Sequence, residues 1–157
     1  MARFGNGYRP MYARILVATD GSDLGGKGLR HGLALAGALG ARVLVLTVSE
    51  PWTPAFDDAL ALAGPGLQQQ YRDSCAALAR KVLADASARA AALGLDCETV
   101  YVADAYPADT IVDVARSRGA DLVVMASHGR RGLGRVLLGS QTQAVLAQLE
   151  LPVLVVR

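Results

Sequence analysis

The sequence predicts a single α/β domain in which a five-stranded parallel sheet carries helices on both faces. Short, almost continuous apolar runs recur along the chain, and such runs are typical of strands that are buried on both sides. Amphipathic segments alternate with these runs, which indicates right-handed strand–helix–strand crossovers. The predicted sheet is doubly wound with the strand order 3-2-1-4-5, so a ligand is expected beyond the carboxyl ends of its strands.

The first elements of this fold follow a segment without any pattern. Residues 1–12 lack periodicity and predict a flexible tail, which leaves residues 13–157 for the domain. The apolar run over residues 13–19 predicts the first strand, and a similar run over residues 42–48 predicts the second. Between them, apolar residues recur at spacings of three and four and predict a helix over residues 27–39.

The middle of the chain combines a long loop with a long helix. Residues 50–67 contain several prolines and glycines, which predict a loop. Residues 68–93 predict the longest helix, because one apolar stripe runs along it: Tyr71, Cys75, Leu78, Val82, Ala86, Ala90 and Leu93. We interpret this stripe as part of the core rather than as a ligand site. Residues 97–102 predict the third strand.

The last third of the chain repeats the alternation of strands and helices. Pro107 predicts the start of a short helix, because proline suits the first helical position. Residues 122–126 predict a fourth buried strand, residues 140–149 the last helix and residues 152–156 the last strand. This last strand is short and apolar, and such an edge favours pairing with another chain.

The amino-acid composition excludes several classes of protein. The chain has 157 residues, of which 52% are hydrophobic and 19% are charged, so it is a folded domain rather than a disordered one. A net charge of +2 is too small to indicate nucleic-acid binding. Arg42 and two glycines interrupt the longest apolar stretch, which therefore does not predict a membrane span. The two cysteines predict small buried side chains rather than a disulfide framework, and they favour the cytoplasm.

The strongest chemical signal is the glycine-rich segment SHGRRGLGRVLLGS, residues 127–140, which joins the fourth strand to the last helix. Glycines let backbone amides approach a ligand closely, and successive amides can form an anion-binding concavity. The amides at the start of the following helix also attract phosphate. Arg130, Arg131 and Arg135 add positive charge, or else form a solvated surface. Ser140 and Gln143 match a capping box.

This segment resembles the nucleotide motif of the universal stress protein family. That motif has a glycine, two residues, a glycine, nine residues and then a glycine followed by Ser or Thr. The chain has Ala126, Gly129, Gly139 and Ser140 at this spacing, so alanine replaces the first glycine and adds a methyl group beside the ligand. The segments ILVATDGS and LELPVLVVR also resemble the family, and the resemblance covers about residues 13–157.

The resemblance implies an ATP-binding, nucleotide-dependent stress-response protein, with Mg²⁺ as a further ligand. Asp20 would approach the ribose or the magnesium ion, and the backbone of Val48 would contact adenine. The resemblance also implies a homodimer that pairs through residues 152–156. No general base is evident in the sequence, so we expect little or no hydrolysis. The predicted nucleotide-binding residues are Ala18, Thr19, Asp20, Val48, Met125, Ala126, Gly129, Arg130, Gly139, Ser140, Gln141 and Thr142.

A P-loop NTPase is one alternative interpretation. Gly21, Gly26 and Lys27 follow the first strand at the spacing of a Walker A loop. Gly28, however, stands where that motif requires Ser or Thr to hold magnesium, and the fourth strand lacks the terminal aspartate of a Walker B motif.

Two further alternatives share the predicted architecture. A phosphoacceptor receiver domain would use Asp20, Asp23 and Asp104, but it also needs a lysine at the end of the last strand, which this chain lacks. A protein-interaction module of the same fold would bind no nucleotide.

Tyr106 stands where many members of the family have aspartate, and we expect it to reshape the rim of the pocket.

Overall fold

The computed structural model describes residues 11–53, 64–127 and 138–157. All five strands in these ranges run parallel, in the order β3-β2-β1-β4-β5, which confirms the predicted doubly wound sheet. In chain order the elements are β1 (Arg14–Ala18), α1 (Asp23–Leu39), β2 (Arg42–Val48), α2 (Gly64–Ala92), β3 (Cys97–Val102), α3 (Pro107–Ser117), β4 (Leu122–Ala126), α4 (Ser140–Gln148) and β5 (Val153–Val156).

The sheet separates two apolar layers because successive side chains of a strand point to opposite faces. Ile15 and Val17 of β1 pack with α1 and α2 on one face. Leu16 packs with α3 and α4 on the other face. The helices change face where the strand order reverses, between β1 and β4. In a doubly wound sheet this reversal leaves a crevice beyond the carboxyl ends of the strands.

Helix α1 begins earlier than the sequence predicted. Its first residue is Asp23 rather than residue 27, and Ser22 caps it by accepting a hydrogen bond from the backbone N–H of Gly25 at 3.0 Å. Its end agrees with the prediction, because Gly40 takes a left-handed conformation with φ 67 and donates its N–H to the carbonyl of Ala36. The cap and the first turn together hold the segment after β1 close to the sheet edge.

Helix α2 also differs from its prediction. It begins at Gly64, so the loop predicted over residues 50–67 is shorter, and residues 54–63 lie outside the described ranges. In the predicted apolar stripe Ala86 and Ala90 are fully buried, whereas the assignment of Leu93 to the core is wrong because it is 59% exposed.

Three smaller observations complete the fold. Most of the predicted tail lies outside the described ranges, although Tyr12 packs partly buried against the layer formed by α1 and α2. Cys75 and Cys97 are free and only partly buried, so the prediction that they are buried side chains is wrong. No helix in the described parts of the chain is long and apolar enough to cross a membrane.

Candidate functional site

A cleft of about 790 Å³ opens at the carboxyl edge of the sheet, where the strand order reverses. The ends of β1, β2 and β4 form its floor. The first turn of α4 closes one end, and the amino-terminal half of α2 forms a wall. Clefts of this size at the switch point of a parallel sheet are typical binding sites for small molecules.

The described residues that were predicted to bind nucleotide all line this cleft. Gly129 and Arg130 lie outside the described residues, as do His128, Arg131 and Arg135. A nucleotide-binding role for each lining residue stays a prediction, although the fold does bring them together from distant parts of the chain. They are Ala18, Thr19, Asp20, Val48, Met125, Ala126, Gly139, Ser140, Gln141 and Thr142.

Hydrogen bonds hold the end of β1 in place within the cleft. The Asp20 carboxylate accepts two hydrogen bonds through Oδ1, from the Ser22 backbone N–H at 3.0 Å and from the Ser22 hydroxyl at 2.7 Å. Thr19 is fixed on both sides of its peptide, because its N–H donates to the carbonyl of Leu46 and its own carbonyl accepts from the Thr47 hydroxyl, each at 3.0 Å. The turn after β1 therefore presents a carboxylate at a fixed position.

The start of α4 supplies backbone amides to one end of the cleft. Gly139 is the N-cap residue and makes no side-chain capping bond, while Ser140 is the first helical residue. The capping box predicted for Ser140 and Gln143 is therefore wrong, and the Gln143 side chain donates instead to the carbonyl of Leu138 at 2.8 Å. The first amides of a helix carry partial positive charge, so this end suits an anion.

Two side chains of the first turn of α4 brace it against its neighbours. The buried Thr142 hydroxyl donates a hydrogen bond that is shared between the carbonyls of Ala126 at 3.1 Å and Ser127 at 3.2 Å. The Gln141 side-chain oxygen accepts from the backbone N–H of Ala108 at 3.0 Å. Both were predicted to contact a ligand, and both have a positioning role in this structure.

The ends of β2 and β3 form a step at the far side of the cleft. The pairing of β2 with β1 ends at Leu46 opposite Ala18, whereas its pairing with β3 continues to Val48 opposite Val102. The backbone of Val48 therefore extends beyond β1 at the edge of the cleft. Just after it, the Ser49 hydroxyl lies 2.8 Å from the Tyr101 hydroxyl.

The wall formed by α2 is one part of the site that the sequence interpretation missed. Tyr71, Cys75, Leu78 and Ala79 line the cleft, so the interpretation of this half of the stripe as core is wrong. The Tyr71 hydroxyl donates to the carbonyl of Glu50 at 3.0 Å, which fixes the wall to the end of β2. The helix thereby adds the apolar side chains of Leu78 and Ala79 to the lining of the cleft.

The acidic residues of the receiver interpretation do not come together. Arg72 pairs with Asp104 at 3.0 Å, and Asp23 lies in the first turn of α1. Among the described residues there is no group of three or more His, Cys, Asp or Glu side chains that could hold a metal ion. Tyr106, which was expected at the rim, is 65% exposed and does not line the cleft.

The P-loop interpretation fails on the conformation of the same region. Gly26 and Lys27 lie within α1, and Lys27 is exposed. A Walker A motif needs these residues in a loop that wraps around phosphates, before its helix begins. Here the helix has already begun at Asp23.

Known proteins match the chain over nearly its whole length. A model of the universal stress protein family matches residues 11–157. The Thermus aquaticus universal stress protein in the QAH/OAS sulfhydrylase 3′ region is 36% identical over 147 residues, which cover 94% of this chain and 100% of that protein. The solved structure of protein MJ0577 from Methanocaldococcus jannaschii aligns with a TM-score of 0.76 at 26% identity, and the alignment covers 93% of this chain and 96% of that one.

A further solved structure is a universal stress protein in complex with cAMP. It aligns with a TM-score of 0.66 at 26% identity, over 93% of this chain and 97% of the other. The match of the family model and the 36% identity to a full-length relative agree with the observed strand order. The chain belongs to the universal stress protein family.

Proposed function

We propose that the chain binds ATP in the cleft and acts as a nucleotide-dependent regulator of a stress response. One observation carries this proposal: the described residues predicted to bind nucleotide, which come from β1, β2, β4 and α4, line a single cleft at the carboxyl edge of the sheet. The related universal stress protein that was solved with cAMP, at 26% identity, supports a nucleotide as the ligand class.

The two ends of the cleft suit the two ends of ATP. The amides at the start of α4 favour the phosphates, because they carry partial positive charge and Gly139 brings no side chain between them and a ligand. The apolar wall of α2 and the end of β2 suit the base. Asp20 lies between these ends and would reach the ribose, or a magnesium ion that keeps its remaining ligands from phosphate and water.

Binding without rapid hydrolysis fits the residues of the cleft. A general base must be held within hydrogen-bond distance of the water that it activates. Asp20 and Glu50 are the carboxylates among the described lining residues, and Oδ1 of Asp20 already accepts two hydrogen bonds from Ser22. We therefore propose that ATP is held rather than consumed. Turnover of many ATP molecules per minute by the purified protein would contradict this.

A thermal melt of nucleotide-free protein tests the binding proposal. ATP with Mg²⁺ at about 100 times its dissociation constant should stabilise the fold by about 2.7 kcal/mol. For a domain of this size, this corresponds to a rise in Tm of roughly 5–10 °C. No shift in the wild-type protein would overturn ATP binding and favour the nucleotide-free interaction module.

Two variants at Ser140 test whether the phosphates lie at α4. Ser140→Asp places a negative charge in the first helical turn, where it stabilises the helix by about 0.3–1 kcal/mol but repels phosphate. Ser140→Asn has nearly the same shape without the charge. We expect the aspartate variant to melt no lower than wild type and to lose the ATP shift, while the asparagine variant keeps it. Equal shifts in both variants would place the phosphates elsewhere.

We also propose that two copies pair through β5 and that the protein acts in the cytoplasm. β5 lies at the end of the sheet order, and Leu154 on it is 38% exposed. The free thiols of Cys75 and Cys97 suit a reducing compartment.

A further inference from the structure

We propose that Ser49 and Tyr101 form a base-reading pair, which recognises the polar substituent at the 6-position of a bound purine. Their side-chain oxygens lie 2.8 Å apart, and both residues line the cleft. The inference rests on the proposed function and deepens it, because it names the side chains that select the base. Tyr101 was not among the residues predicted to bind nucleotide, and neither was Ser49.

The position of Ser49 and Tyr101 relative to α4 determines which end of the ligand these two residues contact. Ser49 follows the end of β2, Tyr101 lies near the end of β3, and α4 begins beyond β4. In the order β3-β2-β1-β4 this spans three strand spacings, or about 14 Å at 4.7–4.9 Å each. A nucleotide with its phosphates at α4 therefore directs its base toward Ser49 and Tyr101.

The edge of the base that reaches the pair follows from the chemistry of a purine nucleotide. The sugar is attached at N9, and the atoms farthest from it are N1 and the substituent at C6. With the sugar side toward α4, this distal edge is the one that faces the ends of β2 and β3. In adenine it carries an amino donor and a ring-nitrogen acceptor.

The hydroxyl pair can match such an edge. Either oxygen of the pair could be the donor, so one O–H is used within the pair, while the other O–H and several lone pairs stay available. The backbone of Ser49 is held on both sides, because its N–H donates to the carbonyl of Val102 and its carbonyl accepts from the N–H of Ala105, each at 3.0 Å. The Ser49 hydroxyl is thereby held in register with Tyr101.

The other tyrosine of the cleft has a different role. The Tyr71 hydroxyl already donates to the carbonyl of Glu50, so its ring serves mainly as apolar wall together with Leu78 and Ala79. A planar apolar body against this wall, with a polar edge at Ser49 and Tyr101, describes a purine. Because the pair can exchange donor and acceptor roles, it accepts an amino or an oxo group and disfavours a hydrogen at the 6-position.

The test compares ATP with purine riboside 5′-triphosphate, which lacks the 6-amino group, by titration calorimetry on nucleotide-free protein. We expect the wild-type protein to bind ATP more tightly. Tyr101→Phe should reduce this preference by about 2- to 10-fold, which corresponds to one net hydrogen bond. The double variant Ser49→Ala with Tyr101→Phe should reduce the preference further. The affinity for purine riboside 5′-triphosphate should not change in either variant.

Tyr106→Phe is the matched control, because this tyrosine is 65% exposed and lies outside the cleft. It should leave the preference unchanged. An unchanged preference in the double variant, or an equal loss of affinity for both ligands, would overturn the base-reading role while ATP binding still stands. Failure of the wild-type protein to bind either triphosphate would overturn the proposed function, and the base-reading pair with it.

Discussion

The thiol of Cys97 shows how a single residue responds to its surroundings. Burial at the start of β3, and to a lesser extent the neighbouring carboxylate of Asp96, raise its pKa above the ordinary value of 9.0. Both causes disfavour the thiolate, which is the reactive form of cysteine. The folded protein therefore keeps this proton to higher pH than the unfolded chain does. The stability that this group contributes is fully present below pH 9 and is lost as the pH rises through the raised pKa.

We predict that Cys97 reacts slowly with iodoacetamide at pH 8.5. The measurement uses a Cys75→Ala variant, so that a single thiol is followed by mass spectrometry. The rate should be several-fold lower in the folded protein than in the same protein unfolded in urea, because a smaller fraction of the thiol is ionised. Asp96→Asn should increase the folded-state rate by removing the weaker of the two causes. Equal rates in the folded and unfolded states would contradict the raised pKa.

At the residue scale, the sequence predicted the lining of the cleft better than it predicted the capping of helices. The motif spacing placed Gly139 and Ser140 correctly beside a helix start. It did not show that Gly139 is the N-cap, because a capping box and a phosphate-binding turn share the same residue types. At α1 the N-cap residue Ser22 is visible in the sequence. The first turn that follows it was not predicted as helical, because it contains glycines, which have low helix propensity.

At the element scale, α1 approaches the sheet closely at Gly32. A Cβ atom on Gly32 would lie 2.4 Å from Cγ2 of Val17, and Val17 is fully buried. Apart from its chain neighbours and the backbone of its own helix, a Cβ atom on Gly26 would meet no atom of the described residues within 4 Å. Both glycines therefore lower the stability of the helix, because glycine has a low helix propensity. Only at Gly26 is there room for a Cβ atom.

We predict opposite outcomes for alanine at these two positions. Gly26→Ala should stabilise the protein by about 0.5–1 kcal/mol, because alanine is the better helix former. Gly32→Ala gains the same propensity but overpacks the core, and it should be less stable than Gly26→Ala by about 1–3 kcal/mol. Urea denaturation measures both values. If the two variants were equally stable, the close approach of α1 to β1 at Gly32 would be refuted.

The length of α2 explains why half of its apolar stripe was misinterpreted. Its 29 residues extend over about 43 Å at 1.5 Å per residue. The longest strand, β2, has seven residues and spans only about 23 Å at 3.3 Å per residue. The helix must therefore extend beyond the sheet. Ala86 and Ala90 cover the strands, whereas Tyr71 and Cys75 cover the cleft, and helical periodicity alone cannot separate these surroundings.

At the scale of the whole molecule, the architecture was predictable because it depends on a pattern that many residues share. Three of the five described strands, β1, β2 and β4, carry apolar runs that are buried along their centres, and the alternation of strands with helices leaves few topologies. The contacts at the rim of the cleft were not predictable. The hydrogen bonds between Ser49 and Tyr101 and between Tyr71 and Glu50 join single residues from distant segments and leave no periodic signal.

The two edge strands of the sheet differ in how readily they can pair with a strand of another chain. β3 is one edge, and its exposed Glu98 forms an ion pair with Arg118. β5 is the other edge, and its sequence VLVV carries no charge. Charged side chains on an edge strand hinder pairing with a second strand, whereas a bare apolar edge favours it. The contrast supports a dimer that forms at β5 rather than at β3.

We predict that wild-type protein at about 10 μM has twice the mass of one chain by light scattering. Specific interfaces of standard size are occupied at protein concentrations in this range. Leu154→Lys should shift this mass to that of a monomer, because it places a charge on the apolar edge at a residue that is 38% exposed. Thr99→Lys, at an exposed position of β3, is the matched control and should stay dimeric. A monomeric wild type would refute the dimer itself. Loss of the dimer in Thr99→Lys with retention in Leu154→Lys would instead move the interface to the opposite edge of the sheet.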